Sequence, residues 1–318
     1  MDLDIEAIAL KVGLKRAEVE GLLALLKDGD KENRALLQIT GLSKSILDDF
    51  RRHLAPYLKK SSSFTALNEE GKKILKNVSL SHYFWDYYLF EKPDEKFLAI
   101  WKRYENDFLP DKRKWDQFRA TKETVWRRSE LMKRRGDLLG RHILFLGDND
   151  LTSIAVAMKK EAKRIFVADI DSDVLRTIEK ISNKEEWGIE TFKYDARHRL
   201  PPHLRQRFDI VFTDPPYTPA GVSLFLSRAV AALKPLPASR LYFCYGQSDR
   251  ARERSLVIQA TVQEMGLLIE ERLVKFNRYF GAASIGSASA LYINSITPQT
   301  KPKISGEFTG KIYTWERR

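Results

Sequence analysis

Residues 142–150, His-Ile-Leu-Phe-Leu-Gly-Asp-Asn-Asp, constrain the fold more than any other stretch. Leu144, Phe145 and Leu146 form an apolar run of strand length, Gly147 turns the chain, and Leu151-Thr-Ser opens a helix expected over 151–160. A strand, a tight turn and a helix in that order begin an open α/β sheet, and the turn at the strand's carboxyl end is where such sheets bind ligands. Folds that bind dinucleotides or S-adenosylmethionine place several glycines there, so that backbone can approach the ligand. Here one glycine is followed by Asp148, Asn149 and Asp150. Two carboxylates repel a carboxylate or phosphate and attract an ammonium, so the turn points to a nucleoside with a cationic tail.

The alternation continues to the end of the domain. Strands are expected at 142–147, 164–169, 189–194, 208–213, 240–245, 267–276 and 290–296, and helices at 151–160, 172–183, 221–233 and 250–265. Seven strands, the last two antiparallel in pattern, predict a Rossmann-like sheet of the methyltransferase type over 141–296. Ahead of it, 1–78 reads as a winged-helix-like α domain. Helical spacing covers Ile5–Val12, Ala17–Leu26, Asn33–Thr40 and Ser43–Leu54, and a Ser-rich turn leads to a strand at Phe64–Leu67. Residues 79–140 read as a helical connector rich in aromatics, Tyr83 to Tyr88 and Trp101, Trp115 and Trp126 among them. The tail, 297–318, is expected to be flexible, with Tyr313 and Trp315 as its anchors if it docks.

A net charge of +12 invites a nucleic-acid reading, but its distribution argues otherwise. Residues 1–78 carry 14 basic against 12 acidic side chains, 79–140 carry 14 against 11, and the rest 27 against 20. No basic stripe forms, and the candidate reading helix holds Asp48 and Asp49 beside Arg51 and Arg52. Nucleic-acid binding is therefore expected to be weak or absent. One cysteine, Cys244, excludes an intrachain disulfide, and five histidines form no metal-ligand set, so no metal is expected. No secretion signal or membrane-length apolar run is found; a cytoplasmic protein is expected.

A second motif, Phe208-Asp-Ile-Val-Phe-Thr-Asp-Pro-Pro-Tyr-Thr218, ends an apolar strand in a carboxylate and an aromatic face. Enzymes that alkylate an amino nitrogen need acceptors around its N–H and a stacking or cation–π wall, which Asp214 and Tyr217 supply. Asp169, about 20 residues after the first turn, is placed for ribose hydroxyls, with Asp171 nearby as a second candidate that competes with Ser172 as helix cap. Asp195 ends the third strand and is placed for an adenine amino group. Gly147 and Pro216 complete the donor side, while Gln117 and Glu123 are candidates for an acceptor-side wall.

The pattern resembles the branched-chain polyamine synthase family. The resemblance is carried by Asp137-Leu-Leu-Gly140, Leu146-Gly-Asp-Asn-Asp-Leu-Thr-Ser153, Val167-Ala-Asp-Ile-Asp171, Phe208 through Thr218, Leu224-Phe-Leu-Ser-Arg228 and Phe276-Asn-Arg-Tyr279. The family's Gly-Asp-Asp-Asp turn has Asn149 in its middle place here. The resemblance implies an aminopropyltransferase of thermophiles. It would use decarboxylated S-adenosylmethionine as co-substrate, spermidine as acceptor, two transfers at N4, neither metal nor cofactor, and a homodimer. A carboxylate must accept the amine's proton. Asp150 is favoured by the resemblance, Asp148 by being less obviously held by a helix N-terminus, and Asp214 stands third; Asp150 and Asp214 would also contact the acceptor. Two other classes remain: an amino-methyltransferase acting on a nucleic acid through Asp-Pro-Pro-Tyr, and a winged-helix regulator that senses a nucleoside.

Overall fold

The structure is a computed structural model that describes residues 3–80, 92–108, 110–246, 253–283, 286–314 and 316; the aromatic run 83–88 and Trp315 lie outside them. The chain divides into two compact units, one of residues 1–90, 248–250 and 278–288, the other of 91–247, 251–277 and 289–318. Residues 91–140, read from sequence as a separate connector, thus cluster with the sheet.

In the first unit α1 (Ile5–Val12), α2 (Arg16–Lys27), α3 (Asn33–Thr40), α4 (Lys44–His53) and α5 (Glu69–Leu75) enclose a core that includes Leu22, Leu23, Leu36 and Phe50. The α1 N-terminus is capped by Asp4, whose carboxylate accepts from the Ala7 N–H, and Asn68 caps α5 through the Gly71 N–H. The strand expected at 64–67 shortens to β2 (Phe64–Thr65), which pairs antiparallel with β1 (Lys31–Glu32). On α4, Arg52 is bound to Asp49 at 2.8 Å, with its side chain still exposed.

The second unit contains α6 (Glu95–Tyr104), α7 (Lys122–Arg134), β3 (His142–Leu146), α8 (Thr152–Ala157), β4 (Arg164–Asp169), α9 (Ser172–Lys184) and β5 (Glu190–Lys193). It continues with β6 (Ile210–Thr213), α10 (Pro219–Ala232), β7 (Arg240–Tyr245), α11 (Glu253–Glu264), β8 (Leu267–Arg278) and β9 (Ala288–Ile296). The seven-stranded sheet has the order β5-β4-β3-β6-β7-β9-β8. Strands β3 to β7 run parallel, and β9 is antiparallel to β7. Ile143 to Leu146, Ile165 to Ala168 and Ile210 to Phe212 are all buried, as parallel strands covered on both faces require.

Topology and register place the site. From β3 the chain moves outward to β4 and β5, then returns to the other side of β3 as β6, so the sheet's switch point lies between β3 and β6. Leu146 pairs with Ala168 of β4 and with Thr213 of β6. The three strands therefore end level, and residues 147–150, 169–171 and 214–217 emerge side by side.

The tail expected to be flexible makes defined contacts through its described residues. Ile312 and Tyr313 are buried, the Thr218 hydroxyl donates to the Ile312 carbonyl at 2.6 Å, and Thr314 is held by Asp116. Arg228 on α10 donates to the carbonyls of Ala196, Ile304 and Gly306. A Cβ on Gly221 would meet the carbonyl oxygens of Pro216 at 2.7 Å and Ile312 at 2.9 Å, so glycine lets the tail and the Pro216 segment approach α10. No described helix is long and apolar enough to cross a membrane.

Candidate active site

Each end of the first turn has a residue in the left-handed region. Gly147 (φ 77°) reaches it without strain and donates its N–H to the Ala168 carbonyl at 2.8 Å. Leu151 (φ 61°), a bulky residue uncommon there, sends the chain into α8, which starts one residue later than expected. The acids lie between these two bends.

Their roles differ from the sequence expectation. Asp150 was expected near the helix N-terminus, but the carboxylate that binds it is Asp148, which accepts from the N–H groups of Thr152 at 2.8 Å and Ser153 at 3.1 Å. The Asp148 N–H donates to Asp169 at 2.9 Å. Asp148 is thus the brace of the turn, and burial pushes its carboxyl up to about 8 against those donors.

Asp150 faces the other way. Its oxygens accept from the Ala120 N–H at 2.6 Å and from Arg128 at 2.7 Å. Burial pushes it up to about 6; Arg128 opposes that rise and the neighbouring Asp214 adds to it. Asp214, at the end of β6, accepts from Arg128 at 2.9 Å and from the Tyr217 hydroxyl at 2.8 Å. The Asp214 side chain is 13% exposed, that of Asp150 4%, so Asp214 is the more open of the two. Tyr217 packs edge-on against Tyr245 at 5.5 Å between ring centres, which fixes its hydroxyl over Asp214. Pro216 is buried behind it.

Arg128, on α7, was not singled out by sequence reasoning as a site residue, yet it joins the two motifs. Its side chain is fully buried. The signal that could have found it was the position of two consecutive arginines, Arg127 and Arg128, on a helix shortly before a turn of acids: a buried carboxylate pair needs a cation. Asn277, within the Phe276-Asn-Arg-Tyr279 motif, accepts from Arg128 Nε at 2.8 Å.

On the donor side, both oxygens of Asp169 accept backbone N–H groups, those of Asp148 and of Asp171 at 2.7 Å, and burial still raises its carboxyl to about 6. Asp171, not Ser172, caps α9 by accepting from the Asp173 N–H. Lys112, a contact not foreseen, donates to Asp171 at 2.7 Å and Asp173 at 2.5 Å. The other Asp171 oxygen, Oδ2, is buried without a hydrogen-bond partner. Asp171 lines a cavity of about 20 Å³ with Gln117, Asn149 and Leu151. Asp195 is bound by Arg197 through Nε and, at 2.8 Å, through Nη2. Burial would raise its carboxyl, but Arg197 holds it below the usual range. Glu123 sits in the first turn of α7. The structure does not bring it into hydrogen-bond contact with Asp150 or Asp214; its carbonyl accepts from Arg127. Among the described residues no group of three or more His, Cys, Asp or Glu is placed to hold a metal ion.

Asp148, Asp150 and Asp169 all titrate above the ~3.9 of an unfolded aspartate. Between about pH 4 and 8 the folded state therefore binds more protons than the unfolded chain, and their contribution to stability falls as pH rises. Carboxylates held low, such as Asp209 beside Lys234, act oppositely and lose their contribution only on strong acidification. The melting temperature is expected to fall from pH 5 to pH 8, and Asp148→Asn to flatten the part of that decline between pH 6 and 8. An unchanged slope in a folded Asp148→Asn protein would contradict the assignment.

Comparison with known proteins gives the arrangement a family. Residues 95–311 match the branched-chain polyamine synthase A C-terminal domain family. The chain is similar to an uncharacterized protein of Methanocaldococcus jannaschii, with 43% identity over 199 residues, 63% of this chain and 49% of that protein. It is 34% identical over 186 residues to the N(4)-bis(aminopropyl)spermidine synthase of Thermococcus kodakarensis, covering 58% of this chain and 53% of that one. The matches thus span about half the length of these curated relatives. In fold it is similar to the crystal structure of the branched-chain polyamine synthase from Thermus thermophilus in complex with N4-aminopropylspermidine and 5'-methylthioadenosine. That likeness has a TM-score of 0.69 at 20% identity and covers 98% of this chain and 96% of the other. With the matched region taking in the site-bearing strands and turns described above, the chain belongs to the family of the branched-chain polyamine synthase A C-terminal domain.

Proposed function

We propose that this protein is an aminopropyltransferase. It moves the aminopropyl group of decarboxylated S-adenosylmethionine to the N4 secondary amine of spermidine, giving N4-aminopropylspermidine and then N4-bis(aminopropyl)spermidine, with methylthioadenosine as by-product. The observation that carries this reading is the carboxylate pair Asp150 and Asp214, 2.7 and 2.9 Å from one guanidinium at the switch point of the sheet. An S-adenosylmethionine site there should welcome a carboxylate; this one welcomes an ammonium. The names of the matched relatives support the same substrates.

In the reaction the amine nitrogen attacks the carbon next to the sulfonium, the C–S bond breaks toward sulfur, and a neutral thioether leaves. The amine's proton passes to a carboxylate, Asp150 or Asp214. Tyr217 walls the cationic substrates. On the donor side Asp169 and the unpartnered Oδ2 of Asp171 suit ribose hydroxyls, and Asp195 suits the adenine amino group once Arg197 shifts aside. No cofactor or metal enters. A homodimer in the cytoplasm, with nucleic acid bound weakly or not at all, completes the proposal. Methylation of a nucleic-acid amino group is the second reading, favoured by Asp-Pro-Pro-Tyr alone.

The acceptor assignment is tested by incubating the protein with spermidine and decarboxylated S-adenosylmethionine and separating products by mass and by chromatography against branched and linear standards. Spermidine plus one and then two aminopropyl units, both at N4, is expected. A linear product only would contradict the N4 assignment.

A further inference from the structure

Two buried carboxylates near each other repel, and the usual outcome is that one takes up a proton. Here Asp150 and Asp214 each give Oδ2 to the same guanidinium, at 2.7 Å to Nη1 and 2.9 Å to Nη2, and that charge opposes the rise at Asp150. Arg128 is held from every side. Asn277 Oδ1 accepts from Nε at 2.8 Å, Thr152 Oγ1 accepts from Nη1 at 3.1 Å, Cys244 Sγ accepts from Nη2 at 3.4 Å, and Phe212 lies under the guanidinium at 5.1 Å. Asn277 is itself fixed, donating to Ser289 Oγ at 2.9 Å and to Cys244 Sγ at 3.3 Å. An arginine so anchored is framework, not a placeholder that a substrate cation displaces.

We propose that Arg128 is a positioning residue that holds Asp150 and Asp214 a fixed distance apart and offsets part of the negative charge with which they meet one amine. The identity of that amine rests on the aminopropyl-transfer reading. Two requirements meet here. A carboxylate must be ionised to take the amine's proton, and a protonated nitrogen has no lone pair with which to attack. Two uncompensated carboxylates would hold the amine in its protonated form, since nearby negative charge favours the ammonium. A pair partly offset by the guanidinium attracts the amine yet lets it deprotonate. Among the described residues the groups around the guanidinium include Asp150 with Asp148 beyond it in the turn, Thr152 on α8, Asp214 with Tyr217 after β6, Cys244 on β7 and Asn277 on β8. Burial pushes the Cys244 thiol up and Asp148 to about 8, so neither adds a full negative charge near neutral pH.

The test compares wild type, Arg128→Gln and Arg128→Lys in two ways: kcat and KM for spermidine from pH 6 to 10, and a carbon-13 titration of aspartate carboxyls without substrate, assigned with Asp150→Asn and Asp214→Asn. Removing the charge should move the acid limb of kcat up by about one pH unit or more, a tenfold loss per unit at pH below the limb. It should raise a carboxyl midpoint of the pair by a similar amount and change KM much less. Arg128→Lys keeps the charge without the fork, so its limb should stay within about half a unit of wild type while kcat falls. A folded Arg128→Gln protein with limb and midpoints at wild-type positions overturns the proposal. If that variant does not fold, Arg128→Lys decides, and a limb displaced by more than a unit overturns it. Carboxyl titration that depends on Arg128 in a protein without aminopropyl transfer would sink the reaction assignment and leave this one standing.

Discussion

Asp150→Asn and Asp214→Asn are each expected to lower kcat by about two to four orders of magnitude at saturating spermidine, the scale of lost acid–base assistance. The amide keeps the shape of the side chain but cannot take a proton. At Asp150 both oxygens accept from groups that only donate, the Ala120 N–H and Arg128, so its amide must set NH₂ against one of them and is expected to lose stability as well as rate. Melting curves and saturating substrate separate the two effects. Asp148→Asn should behave differently, because its carboxylate braces Thr152 and Ser153 rather than facing Arg128. Its effect is expected mainly on melting temperature and donor KM. If Asp148→Asn were to lose kcat as the other two do, the division between brace and reacting carboxylates would be wrong. Near-normal turnover in both Asp150→Asn and Asp214→Asn would remove the carboxylate base from the mechanism.

That division also marks where the sequence stopped being informative. The apolar run before Gly147, the acids after it and the strand ending in Asp214-Pro215-Pro216-Tyr217 are local signals, and alternation with helices was enough to set them at the carboxyl ends of parallel strands. Which acid braces the helix was not local. It depended on Leu151 taking a left-handed conformation, which starts α8 at Thr152 and turns Asp148 toward the helix N-terminus. Arg128 was legible even less. It lies 22 residues before Asp150 and 86 before Asp214, so the pair of arginines on its helix hints at a buried cation but does not tell which carboxylates it meets. Lys112 on Asp171, Arg197 on Asp195 and Thr218 on the Ile312 carbonyl were equally set by folding. The tail's contacts were hidden for the same reason: a Thr-, Lys- and Pro-rich composition does not reveal that Arg228 and Thr218 supply donors for its carbonyls.

Discrimination between donors should be the largest binding effect. S-adenosylmethionine differs from its decarboxylated form by one carboxylate. Beside this turn a carboxylate would meet Asp150 and Asp214, with Arg128 already shared between them. Juxtaposed like charges cost several kcal/mol, so a preference of about a hundredfold or more for the decarboxylated donor is expected by calorimetry. Asp150→Asn and Asp214→Asn should each narrow it. Equal affinity for both donors would mean that the acidic turn does not read the tail of the nucleoside.

The central claim, that the acidic turn selects an aminopropyl rather than a methyl donor, is tested most directly by competition. The protein is given S-adenosylmethionine and its decarboxylated form at equal concentration with spermidine, and the nucleoside by-product is identified. Methylthioadenosine, released in step with branched polyamine, is the result this account predicts. Adenosylhomocysteine as the main product would contradict it.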